Sequence, residues 1–95
     1  MAQRDRSKIK TSLKNKGFQE SKGADHDIFI LYHNERKTQV FTFISRGSSY
    51  KTYHQNLLGK MSRQLKLKNE DLLGLIDCPI GKAEYIKLLE SQKIL

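Results

Sequence analysis

"DIFILYHNERKTQVFTFI", residues 27–44, holds the pattern on which the fold turns. From 27 to 32 the chain alternates, with Ile28, Ile30 and Tyr32 on one side and Phe29 and Leu31 on the other. From 40 to 44 it alternates again, with Val40, Thr42 and Ile44 opposite Phe41 and Phe43. A side-chain period of two in runs rich in β-branched and aromatic residues is the mark of a strand. The polar link His33-Asn34-Glu35-Arg36-Lys37 between the runs predicts a hairpin and hence antiparallel pairing.

The elements on either side follow by the same reasoning. Residues 5–16 read as a helix: Asp5 or Ser7 can cap it, Ile9 and Leu13 stack at i,i+4, and Gly17 supplies a left-handed stop. Residues 18–21 are then a short edge strand, completing a three-stranded antiparallel sheet. After the Gly- and hydroxyl-rich "SRGSSYKT", residues 53–67 place Leu57, Leu58, Met61 and Leu65 on one helical face and Lys60, Arg63 and Lys66 on the other. Asn69 is expected to cap a third helix, with Glu70 and Asp71 suited to its positive end, and Pro79 helps to stop it. Residues 82–92 form a fourth, carrying Tyr85, Ile86, Leu88 and Leu89. The expected fold class is α+β, in the order α-β-β-β-α plus two short C-terminal helices. With 95 residues this is one domain spanning 1–95, a core of 1–68 followed by a helical pair at 69–95. That pair either completes the core or presents a docking surface.

Charge is unevenly spread. The net charge is +8. Positions 46–68 carry Arg46, Lys51, Lys60, Arg63, Lys66 and Lys68 with no acid, and the first twenty-two residues hold seven cations against Asp5 and Glu20. From position 69 the balance turns slightly acidic. This asymmetry points to a polyanion face on the first two thirds, with nucleic acid the leading partner class; a solvated basic surface is the alternative. The single cysteine, Cys78, leaves no internal disulfide, and no apolar run suggests a signal peptide or membrane span, so the expected location is cytoplasmic.

The residues able to carry chemistry centre on "SKGADHDIFIL", residues 21–31. His26 sits between Asp25 and Asp27 where a turn becomes a strand. Histidine exchanges a proton near neutrality, as needed to remove the 2′-OH proton of RNA so that the oxygen attacks the neighbouring phosphorus. Flanking carboxylates would orient the ring and favour its charged form. The competing reading is a polar strand-entry residue bonded to a turn carbonyl. Alternation sends Asp25 and Asp27 to one face and His26 to the other, so the triplet is a poor chelator. No HExxH or CxxC spacing suggests a metal elsewhere, and no cofactor is expected. Arg46 to Ser49 can turn N–H groups and hydroxyls toward a phosphate, though such loops arise equally for structural reasons. Tyr50 and His54 stand nearby, while His33 belongs to the hairpin turn and Cys78 is expected to pack.

"LKNKGFQESKGADHDIFI", then a hairpin, "FISRG" and a basic helix, resembles the HicA-like toxins over roughly residues 5–66. The resemblance implies a double-stranded-RNA-binding-domain-like fold and a small mRNA interferase in which the histidine opening the second strand, here His26, is catalytic. It also implies mRNA as substrate and a cognate antitoxin as partner. Ala24 and Asp25 stand where the family has a glycine and a hydroxyl residue before the histidine, and residues 69–95 exceed the usual compact domain. The RNA contacts expected on this reading are Arg46, Ser48, Lys51, Lys60, Arg63 and Lys66, and no membrane is involved. The alternative is a non-catalytic RNA-binding module of the same fold.

Overall fold

A computed structural model describes residues 3–23, 26–45, 47, 51–77 and 79–95. In chain order it contains β1 (Arg4–Asp5), α1 (Arg6–Asn15), β2 (Phe18–Lys22), β3 (His26–His33), β4 (Arg36–Ser45), β5 (Thr52–Tyr53), α2 (Gln55–Gln64), α3 (Asn69–Asp77) and α4 (Lys82–Ser91). The α+β class, the three-stranded antiparallel sheet and the helices on either side of it are those expected; the two-residue strands β1 and β5 are additions to the expected order α-β-β-β-α plus two C-terminal helices. Strands β2, β3 and β4 form one antiparallel sheet in that order, and β1 and β5 form a separate two-stranded pair.

The hairpin at the centre of the sheet is tighter than the sequence suggests. His33, Arg36 and Lys37 join the strands, leaving Asn34 and Glu35 as the turn, with φ of 53° and 63°. Two consecutive left-handed residues make the turn whose twist matches the flanking strands. Between Ile30 and Tyr32 the register shifts, because Ile30 lies opposite Phe41 whereas Tyr32 lies opposite Lys37. Thr38 covers this bulge: its hydroxyl donates to the Leu31 carbonyl at 2.7 Å and accepts from the Val40 N–H at 3.2 Å. The shift is of two residues, so the in–out alternation is kept.

That alternation sorts the sheet into two faces. Phe18, Phe29, Leu31, Val40 and Ile44 are buried under the helices, where they meet Ile9 and Leu13 of α1 and Leu58 and Met61 of α2. Leu72, Leu75 and Ile76 of α3 and Tyr85, Ile86 and Leu89 of α4 lie in the same core. Of the two readings of residues 69–95, core completion is the one observed. Tyr85 is fully buried and its hydroxyl donates to the Leu65 carbonyl at 2.9 Å. Burial pushes its phenol pKa up, so it stays a donor.

Several helix boundaries differ from expectation. Gly17 ends α1 at φ +96°, as expected, but Asp5 makes no side-chain cap bond and belongs to β1. Helix α2 begins at Gln55 because Tyr53 is drawn into β5, where its hydroxyl accepts from the Ser45 N–H at 3.0 Å. It ends at Gln64, and Lys66 follows in a left-handed conformation with φ 62°. Asn69 is the first residue of α3 rather than its cap, and its side-chain oxygen accepts from the Ser62 hydroxyl at 2.7 Å.

The C-terminal half is tied to the N-terminus by charge. Arg4 donates two hydrogen bonds to Asp77 at the end of α3, and Lys8 lies 3.1 Å from the same carboxylate. The Arg4 hydrogen bonds hold the Asp77 pKa below its ordinary value. A depressed carboxylate pKa stabilises the fold above the unfolded-state pKa of about 4, and that contribution disappears as pH falls through the folded pKa. Asp77→Asn is therefore expected to cost about 1 kcal/mol at neutral pH, with the gap from wild type closing on acidification. Urea midpoints measured across acid and neutral pH check this; a gap independent of pH would mean that the pair does not carry the effect.

Candidate functional site

His26 opens β3, and its position is set by backbone geometry. The Gly23 N–H donates to the His26 carbonyl at 2.9 Å, and a Cβ on residue 23 would lie 2.7 Å from that oxygen. A bare α-carbon is what lets the two strands approach here. Opposite His26 in the register is Ser45, the last residue of β4. His26 is half-buried on the face turned away from the helices, and its ring stands edge-on to Phe43 with centroids 4.8 Å apart. Among the described residues, no side chain hydrogen-bonds to the imidazole.

Asp27 does something different from what its place beside His26 suggests. It points into the helix-covered side, is buried, and receives Lys10 Nζ at 2.7 Å. Lys10 also lies 3.6 Å from Glu20, which Lys14 approaches at 3.1 Å. The Asp27 carboxylate is thus committed to α1 and does not orient the ring. Because Asp27 and His26 occupy opposite faces, they cannot hold one metal ion together. No group of three or more potential ligands is assembled elsewhere among the described residues. None of the described helices is long and apolar enough to cross a membrane.

The basic residues fall in different places. Lys60 lines a small groove with Phe43, Ser45, Tyr53, Leu57 and Gln64, so it stands at the His26 end of the sheet. Arg63 is exposed one turn further along α2. Lys66 leaves that face: it lines a groove with Lys68, Asp71 and Gln92, and its carbonyl accepts from the Gln92 side chain at 2.9 Å. Lys51 is exposed just before β5, and its carbonyl accepts from the Arg6 N–H at 2.8 Å. Arg46 and Ser48 lie outside the described residues, as do Asp25, Ser49, Tyr50 and Cys78. His54 precedes α2 and is exposed, and His33, expected in the hairpin turn, is instead the last residue of β3, paired with Arg36.

Two contributors were not legible beforehand. Arg6 donates to the carbonyls of Ser45 at 2.8 Å and Gly47 at 3.0 Å, fixing the start of the segment that leaves the His26 end of β4. Phe41 and Phe43 are the other pair. At 42% and 40% exposure they lie outward, their rings edge-to-face at 5.4 Å, and Phe43 carries the contact to His26. Both sides of β4 are apolar in sequence, so composition alone does not say which is covered.

No protein-family model matches the chain, and no match is found among curated proteins or solved structures.

The buried Asp27–Lys10 pair gives a direct check on this arrangement. Lys10→Met leaves a buried carboxylate without its nearest cation, and stability should fall by about 1–3 kcal/mol. Adding Asp27→Asn should recover part of the loss, since the residual charge is removed. Chemical denaturation of the two variants decides: an unchanged Lys10→Met midpoint would mean that Asp27 is not held as described.

Proposed function

We propose that this chain is a metal-independent endoribonuclease of the HicA-like toxin kind, cleaving mRNA in the cytoplasm and held inactive by a cognate antitoxin. The observation that carries the reading is His26: a half-buried imidazole held against Phe43 on the uncovered sheet face, with Lys60 in the groove bordering that ring. The neutral ring removes the proton from a 2′-OH, the oxygen attacks the adjacent phosphorus, and the bond to the 5′ oxygen breaks. The leaving oxygen takes up a proton, and the products are a 2′,3′-cyclic phosphate and a 5′-hydroxyl. Cations at this end of the sheet offset the charge that builds on the phosphate. Lys60 and Arg63 on α2, with Lys51, Arg46 and Ser48, supply the phosphate contacts; Lys66 belongs to the set only if RNA extends toward α4.

The rival is a non-catalytic RNA-binding module of double-stranded-RNA-binding-domain-like form. It is favoured by one observation: Asp27 is spent on Lys10, so no carboxylate among the described residues orients the imidazole. His26→Ala separates the two. On the catalytic reading it lowers RNA cleavage by about 10²–10⁴-fold, with the fold intact by circular dichroism. Wild-type activity persists in EDTA, and a single 2′-deoxy substitution at the cleavage site blocks it. Equal cleavage by both proteins leaves the binding module standing.

The phosphate contacts have their own signature. Each one lost reduces the slope of log affinity against log salt by about 0.7–0.9. Lys60→Gln with Arg63→Gln is expected to weaken binding to all RNAs alike and to flatten that slope by about 1.5. A salt titration in which the double variant matches wild type would move the phosphate contacts off α2.

A further inference from the structure

The uncovered face of the sheet has a composition that phosphate binding does not explain. Its outward positions come from alternate residues of three strands. Ile28 lies opposite Phe43 and Ile30 opposite Phe41, while Ser21 and Gln19 of β2 lie beside those isoleucines. The acids of these strands are turned elsewhere: Glu20 and Asp27 project to the helix side and are paired with α1. Among the described residues, then, the outward positions of the three strands carry no carboxylate apart from the turn residue Glu35. Lys60 borders the face at the His26 end and Lys37 at the hairpin end.

We infer that this face is a stacking platform for single-stranded RNA, with unpaired bases on Phe41 and Phe43 and the backbone led past His26. The inference rests on the ribonuclease reading for its substrate class and adds the form the substrate must take. Two exposed aromatic rings, an acid-free surround and cations at the ends complement a strand that is anionic along its backbone and offers a π-face at every base. An A-form duplex is a poor fit. It shows a protein its phosphates, 2′-hydroxyls and base edges, while its base faces are closed against one another and leave Phe41 and Phe43 without partners. A base resting on Phe43 brings its own sugar and phosphate to the neighbourhood of His26, because the two rings are in contact.

The test uses the full chain and a short single-stranded 2′-O-methyl RNA, which has no 2′-OH to attack, beside the same sequence as a duplex. Anisotropy titrations compare wild type with Phe41→Leu, Phe43→Leu and Phe41→Tyr. Wild type should favour the single strand. Loss of a stacking ring is worth about 5- to 150-fold in affinity, so each leucine variant should weaken single-strand binding at least about fivefold, whereas tyrosine restores it. Duplex binding should not change. Both phenylalanines are outside the core, so thermal unfolding should confirm intact folds. Leucine variants that bind the single strand as tightly as wild type overturn the platform, as does a wild-type preference for duplex. A wild-type self-association abolished by the leucine variants, with RNA affinity unchanged, also overturns it and makes the face a protein interface. His26-dependent cleavage alongside unchanged affinity in the leucine variants would remove the platform and leave the ribonuclease reading intact. Weakened binding by a protein that cleaves nothing would do the reverse.

Discussion

The register between β3 and β4 is the constraint on which everything else depends. Pairing His26 with Ser45 and Ile28 with Phe43 puts Phe29, Leu31, Val40 and Ile44 under the helices and His26, Phe41 and Phe43 on the open side. A slip of one residue would turn one strand over: slipping β3 would expose Phe29 and Leu31 and bury the imidazole, and slipping β4 would expose Val40 and Ile44 and bury Phe41 and Phe43. The two-residue turn at Asn34-Glu35 and the Thr38 hydroxyl at the bulge hold that register, and the glycine at 23 lets the end of β2 close on the start of β3. The site is in this sense a by-product of the way the core is closed.

Electrostatics divides the molecule along the same line. The sequence offers the cations near the N-terminus and those of 46–68 as one basic surface, but the fold separates them. Arg4 and Lys8 are engaged with Asp77, Lys10 with Asp27 and Glu20, and Lys14 with Glu20. Arg6 is turned onto backbone carbonyls. Much of the N-terminal charge is therefore consumed in fastening α1 to the sheet and to α3. Lys51, Lys60 and Arg63, like Lys22, Arg36 and Lys37 of the sheet, are in no ion pair among the described residues and stay available to a polyanion. The exposed N-terminal pairs contribute little individually, whereas the contact of Lys10 with the buried Asp27 is costly to break.

The strands could be read from the sequence because a period of two is hard to mimic, and their ends fell within a few residues of the expected places. Which face is covered could not be read, since Phe41 and Phe43 are as apolar as Val40 and Ile44. Only the packing of the helices decides between them. The β1–β5 pair was invisible because two-residue strands have no periodicity, and Tyr53 fits a helix as well as a strand. Lys66 obeys the helical spacing of Lys60 and Arg63, yet no glycine or proline warns that the chain turns left-handed there. For the site, His26 was placed correctly at the strand start and on the face opposite Asp27. Of the two flanking carboxylates, Asp25 lies outside the described residues and Asp27 faces away from the ring. Asp27 serves Lys10, and an aromatic ring from the neighbouring strand takes its place beside the imidazole.

The central claim is that the open face around His26 and Phe43 is where RNA lies. Chemical-shift mapping by NMR, with the intact chain titrated by a single-stranded 2′-O-methyl RNA, tests it most directly. The account requires the largest shifts at Phe41, Phe43, Ser45 and the His26 ring, with Lys60 also affected and α4 silent. Shifts confined to the Lys66–Gln92 groove or to the Asn34-Glu35 turn, with the open face unmoved, would contradict it.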